Sequence, residues 1–208
     1  MTTTSRARNP RGSGARLREE ILDGAIALID EGDDAATGLS LRAIARYTGI
    51  SAPSIYPHFP DLQAVVEAVL ERCFAQLESE VRAAMDGIGG GDGSDEQAPV
   101  SALLAGCSAY VRYGWEHAAR YRLMFAASGF APNAVETFAL VEDAIAGCVE
   151  HGSSTSTDPH GDAFLVWVAL HGITTLEKPS RADYLRLGAL DRPAAIHTLV
   201  RRLAKLAG

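Results

Sequence analysis

With 208 residues, 47% of them apolar, the chain is long enough to bury one large core or two small ones. Its formal net charge of −7 gives by itself no sign of a nucleic-acid partner, and its three widely separated cysteines, Cys73, Cys107 and Cys148, make no disulfide framework but read as buried free thiols in a reducing compartment. No uninterrupted apolar run is long enough to span a bilayer, and the polar, Arg-rich start carries no signal-peptide pattern, so no membrane partner and a cytoplasmic location are expected.

The charge is unevenly spread. Residues 1–60 hold seven Arg and seven acids, and five of those Arg fall within the first eighteen residues with no acid among them. Residues 1–15 therefore read as a disordered basic arm on an acidic protein. Helical periodicity begins at Arg16, with Leu17, Ile21, Ala25, Leu28 and Ile29 on one face and Gly32 as the stop. Ser40 is placed to cap a second helix with Leu41, Ile44 and Ala45 inward and Gly49 at its end; Ser51 can cap a third, and Asp61 a long fourth running past Phe74 to Val81.

The glycine-rich stretch 87–99 reads as a flexible loop. Helical patterns resume over 100–113, 116–127 and 133–150. A second loop, 152–159, precedes a long apolar helix through Trp167 and His171, and a last helix starts near Asp191 with Ile196, Leu199, Val200, Leu203 and Leu206 as a stripe. No strand alternation or internal repeat is visible. The expectation is an all-α protein of about nine helices, divided into residues 1–15, 16–62 and 63–208.

The run SLRAIARYTGISAPSIYPHF, residues 40–59, holds two short helices around the Gly49-Ile50 turn: a helix-turn-helix, whose second helix can enter the DNA major groove. Pro53 suits a first turn, where its missing N–H was unpaired anyway. Ser51, Ala52 and Ser54 are small enough to let a positive helix end approach phosphates and bases, and Tyr56 and His58 supply donors toward backbone phosphates. The competing reading puts Tyr56 and Phe59 in the core, the better account for Phe59, and makes His58 a surface residue capping a helix end.

Residues 16–74 resemble the DNA-binding domain of TetR-family transcriptional regulators, on an amphipathic first helix, SLRAIARYTGIS, then SIYPHF directly before a capped long helix. The resemblance implies a homodimer on a palindromic double-stranded operator, a repressor released by a small-molecule effector. It matches Ser40, Arg42, Ser51, Ala52, Pro53, Ser54, Tyr56 and His58 to DNA-contacting positions, with Arg42 suited to a bidentate contact to guanine. Two departures stand out. Leu62 occupies a position where the family commonly has a phosphate-holding lysine, so that contact is not expected here; and Pro57 removes a hydrogen bond and biases Tyr56 away from helical angles, so the helix can end early.

Residues 110–125 and 166–177 resemble the ligand-binding domain of a TetR subgroup with a recurring Trp-x-x-x-His-Gly segment, matched by Trp167, His171 and Gly172. The family places the last two long helices at the dimer interface, which the 196–206 stripe suits, as it would suit an intramolecular core; Gly172 would allow close helix approach in either setting. Tyr110, Trp115, Phe125, Phe138, Trp167 and His171 are the candidates to line a pocket for a lipophilic effector. Core packing competes for each, and His171 has core, ligand and interface readings open.

Catalysis finds little support. His117, His151, Asp158 and His160 come with no metal-ligand spacing or nucleophile elbow, and the glycines at 89–91 lack the Lys-Ser/Thr ending of a phosphate loop. No enzyme activity, metal or cofactor is expected. A thiol-redox sensor and a regulator without any ligand are the alternatives to an effector-released one.

Overall fold

The structure, a computed structural model, describes residues 13–32, 39–88, 97–126, 134–176 and 192–207. Eight α-helices are described: α1 (Ser13–Glu31), α2 (Leu41–Thr48), α3 (Leu62–Asp86), α4 (Ala98–Glu116), α5 (Ala118–Ala126), α6 (Ala134–Glu150), α7 (Pro159–Thr175) and α8 (Arg192–Leu203). No strand is present among the described residues. The expected arm overlaps α1, which begins at Ser13; residues 1–12, and 89–96 of the expected loop, lie outside the described residues. The chain divides into two units at Glu71–Arg72, inside α3.

In the first unit, Ile21, Leu22, Ala25 and Ile29 of α1 are buried, as are Ala43, Ile44 and Ala45 of α2, the inward residues that a 3.6-residue repeat specifies. The caps form as their side chains dictate. Ser40 Oγ accepts from Ala43 N at 3.1 Å, and Asp61 Oδ1 accepts from Ala64 N at 2.9 Å. Gly49, at φ 68°, closes α2 in the left-handed region, and Ile50 N then reaches the Ala45 carbonyl at 2.9 Å.

The third helix is where the structure departs from expectation. Only a 3₁₀ turn forms, Ala52–Ser54, followed by hydrogen-bonded turns in which His58 N and Phe59 N both reach the Ile55 carbonyl. The prolines explain it. In an α-helix Pro57 would owe an N–H to the Pro53 carbonyl, which it lacks, and its ring would clash there, while Tyr56 before it is pushed from helical angles.

In the second unit α4 is the central helix, packed on α5, α6, α7 and α8. Gly114 permits the closest approach: a Cβ there would overlap the Thr174 methyl of α7 and crowd the Tyr121 ring of α5. Ile196, Val200 and Ala204 are buried against this unit, with Leu199, Leu203 and Leu206 half-buried. The 152–159 segment is tied down by the residues at and beyond the end of α8. Ser154 bridges Leu206, Ser154 Oγ donates to the Ala204 carbonyl at 2.7 Å, and Lys205 Nζ lies 2.9 Å from the buried Asp162, which also accepts from Ser156 Oγ at 2.6 Å.

Candidate nucleic-acid interface and effector site

The first unit sets its sequence-predicted contact residues on a firm apolar underside. Ile55 and Phe59 are almost fully buried, and the Arg18 guanidinium lies 4.9 Å from the Phe59 ring centroid, so Phe59 is core. Above them Ser51, Pro53 and Tyr56 are exposed, while Ala52, Ser54 and His58 are half-buried. Ser51 and Ser54 share a hydrogen bond at 2.6 Å between their hydroxyls. The His58 ring lies beside Gly14 of α1. Arg42 is exposed on the first turn of α2, and Ser40 is exposed while it caps that helix. A three-residue 3₁₀ turn has no aligned dipole of consequence, so the positive helix end expected at residues 51–54 is absent; what remains is hydroxyls, rings and the α2 guanidinium.

One further exposed α2 residue belongs to this surface. Arg46 stands one helical turn from Arg42 on the same face, a spacing readable without a structure. Tyr47, about half exposed, donates to Glu31 Oε1 at 3.3 Å, and the Glu31 charge raises its phenol pKa. Leu62 opens α3, half-buried.

Five of the six predicted pocket residues converge in the second unit. Phe125 of α5 meets His171 and Trp167 of α7 at centroid distances of 4.6 and 6.4 Å, Phe138 of α6 meets Trp167 at 6.5 Å, and Tyr110 of α4 joins through its hydroxyl. Trp115 lies about 140° round α4 from Tyr110 and so on another side of the helix. The site member that sequence reasoning misses is Tyr121. Its apolar spacing in 116–127 marks it only as a packing residue, yet its hydroxyl is 2.8 Å from both Tyr110 Oη and His171 Nδ1. Burial pushes the Tyr110 phenol up to about 12 and that of Tyr121 further, and it pulls His171 below the usual histidine value, so all three stay neutral near pH 7. Tyr110, Tyr121 and their neighbours form a mixed surface of half-buried rings and buried hydroxyls.

The groups considered for catalysis have structural employment. Asp158 Oδ1 caps α7 by accepting from Gly161 N at 3.0 Å, His160 Nδ1 pairs with Glu142 at 3.0 Å, His151 Nδ1 meets the Gly147 carbonyl at 2.8 Å, and His117 ends α4 against the Tyr113 ring. Among the described residues no group of His, Cys, Asp or Glu could hold a metal ion. The three cysteines are buried, and burial pushes Cys107 up to about 12 and raises Cys148, which keeps both as unreactive thiols.

Comparison with known sequences assigns both units. The family described as bacterial regulatory proteins, tetR family, matches residues 21–69, and the tetracyclin repressor-like C-terminal domain matches residues 103–203. The chain belongs to the TetR family of transcriptional regulators. One relative is an uncharacterised HTH-type transcriptional regulator of Mycobacterium tuberculosis, 28% identical over 191 residues, covering 90% of this chain and 79% of that protein. Among solved structures, a protein of unknown function from Rhodococcus sp. RHA1 is 28% identical with a TM-score of 0.72, over 95% of this chain and 100% of that one. The TetR-family regulator PfmR of Thermus thermophilus, 22% identical over 88% and 97% of the two chains with a TM-score of 0.60, shares the fold. The TetR N-terminal match spans α2 and the 3₁₀ turn, and the C-terminal match spans every residue of the aromatic cluster. No helix among the described residues is long and apolar enough to cross a membrane.

Proposed function

We propose that this TetR-family regulator is a cytoplasmic repressor that binds a palindromic operator as a homodimer and is released by a small apolar effector. The observation that carries the reading is the exposed set Arg42, Ser51, Pro53 and Tyr56 standing over buried Ile55 and Phe59. Hydroxyls and guanidinium groups on a surface that does not yield are what groove and phosphate contacts need. Arg42 is assigned a base contact, and Ser40, Ser51, Ser54, Tyr56 and His58 backbone or edge contacts, with Ala52 and Pro53 providing close approach.

The dimer reading is supported by α7. Phe164, Leu165 and Val168 are each about half exposed on one face, and nothing among the described residues lies within 4 Å of where a Gly172 Cβ would stand on that same face. An apolar stripe of this kind is a natural seam for a second copy. The effector would occupy the aromatic cluster, in keeping with the Trp167, His171 and Gly172 pattern. Its signal has a covalent route, since α3 belongs to both units and Phe125 of the cluster touches it at Phe74. A ligand that favours a spacing of the two recognition units unlike that of the half-sites would weaken DNA binding.

The test is salt-dependent binding of the purified protein to DNA flanking its own gene, followed by random-sequence selection. Saturable binding to a palindrome supports the reading. Weak, sequence-independent binding in both formats counts against it.

A further inference from the structure

We infer that the effector site is built for an apolar molecule carrying a neutral hydrogen-bond acceptor, an aryl ketone being the simplest form, which takes a proton donor from His171 Nε2. This rests on the reading of the aromatic cluster as the effector site, and it follows from the sense of one hydrogen-bond chain.

The chain starts at Trp167, whose indole N–H can only donate and stands within hydrogen-bonding reach of the Tyr110 hydroxyl. Tyr110 Oη is 2.8 Å from Tyr121 Oη. If Tyr121 donated in that pair, Tyr110 would accept twice, and its own buried proton would have no acceptor among the described residues, an arrangement that costs the full desolvation of a hydroxyl. Tyr110 therefore donates to Tyr121. The single Tyr121 proton then has two acceptors in reach, His171 Nδ1 at 2.8 Å and the Thr174 hydroxyl. Thr174 already gives its proton to the Leu170 carbonyl at 2.8 Å, and an imidazole nitrogen is a much stronger base than an alcohol oxygen.

Tyr121 thus donates to Nδ1, and a neutral imidazole so engaged carries its one proton on Nε2. That atom has no hydrogen-bond partner among the described residues. His171 is only half-buried, flanked by the Phe125 ring at 4.6 Å and stacked with Trp167 at 6.3 Å. A donor framed by aromatic rings selects an acceptor framed by apolar surface. Burial also holds His171 below the usual histidine range, so the site offers a dipole and not a cation, which favours a carbonyl over a carboxylate.

Two measurements decide the matter. In long-range proton–nitrogen spectra of ¹⁵N-labelled protein, with the His171 signals assigned by their loss in His171→Gln, Nε2 is expected to be protonated and Nδ1 bare. The Nδ1–H form overturns the inference. In the second, 2-acetylnaphthalene and 2-ethylnaphthalene compete for 1-anilinonaphthalene-8-sulfonate bound to the full chain. Hydrophobicity alone favours the ethyl compound, so an advantage of about tenfold for the ketone, falling to none in His171→Phe and shrinking in Tyr121→Phe, is the signature of the donor. Equal binding of the two compounds by the native protein overturns the inference while leaving the effector-site reading intact. If none of the three compounds binds, the effector-site reading itself fails and takes the inference with it, whatever the tautomer.

Discussion

The Phe74 ring of α3 meets the Phe125 ring of α5 edge to face, with centroids 5.8 Å apart and planes at 74°. Phe125 also touches Tyr121, His171 and Trp167, so a single ring joins the aromatic cluster to the helix that continues into the DNA-binding unit. Aromatic pairs in this geometry contribute about 0.5–1.5 kcal/mol beyond their buried area. A double-mutant cycle with Phe74→Leu and Phe125→Leu, read by urea unfolding, is expected to give a coupling energy of about 1 kcal/mol. Additive effects of the two changes would mean that the contact carries no energy of its own.

Arg42 and Arg46 lie on one face of α2, but they are expected to fail differently. If Arg42 reads a guanine, Arg42→Ala costs about 1–3 kcal/mol on the operator and relaxes preference at a single base position. Arg46→Ala is expected to weaken all sequences alike and to lower the slope of log affinity against log salt by about one. Anisotropy titrations on the operator and on its single-base variants, across a salt series, separate the two. Interchanged behaviour would reverse the assignment.

Charge placed on the α7 stripe is expected to separate the protomers of the proposed homodimer. Phe164→Glu with Val168→Glu leaves the buried side of α7 untouched, so the monomer should retain its helical circular dichroism while its mass by light scattering is halved. Affinity for a two-half-site operator then drops by orders of magnitude toward that for one half-site. A double variant that remains dimeric and binds normally would move the interface elsewhere.

Stability is expected to depend on pH through His171. Burial lowers its pKa in the folded chain below the 6.5 of an exposed histidine, so between those two values the unfolded chain holds more protons. Stability is therefore full above about pH 6.5, declines as pH falls through that window and levels off below the folded value. Melting temperatures from pH 8 to pH 5 should show this decline in the native protein, and His171→Phe should flatten it. Asp162 acts lower in the scale. Burial disfavours its charge, but the Ser156 and Lys205 hydrogen bonds and the Lys205 charge outweigh that and hold its pKa below 3.8, so its contribution is present above 3.8 and is lost as pH falls further.

Much of the fold could be read in the sequence because its signals are local. Ser40, Gly49 and Asp61 announce helix ends by chemistry that needs no partner, and the periodicity of α1, α2 and α3 fixes which side turns inward. The shortened third helix was half legible: Pro57 warned of an early end, but not that a 3₁₀ turn alone would form. The aromatic candidates converged because rings of that size gather wherever helices cross. Tyr121 escaped notice as a site residue because a hydrogen bond from α5 to α7 spans fifty positions of chain. The outward face of α7 escaped for another reason: that helix is apolar nearly all round, and such a pattern carries no phase to tell inside from outside.

The turn at residues 52–58 draws its shape from Pro53, Pro57, Ile55 and Phe59, and of these only Pro53 is also among the side chains that would meet DNA. Scaffold and vocabulary are thus carried for the most part by different residues of one short segment. On the proposed reading, exchanges at Ser51, Ser54 or Tyr56 would alter what is read and leave the reader standing, so duplicated copies of such a gene could drift toward new operators through single, individually tolerated steps. The same separation makes this segment a convenient place to graft a chosen specificity.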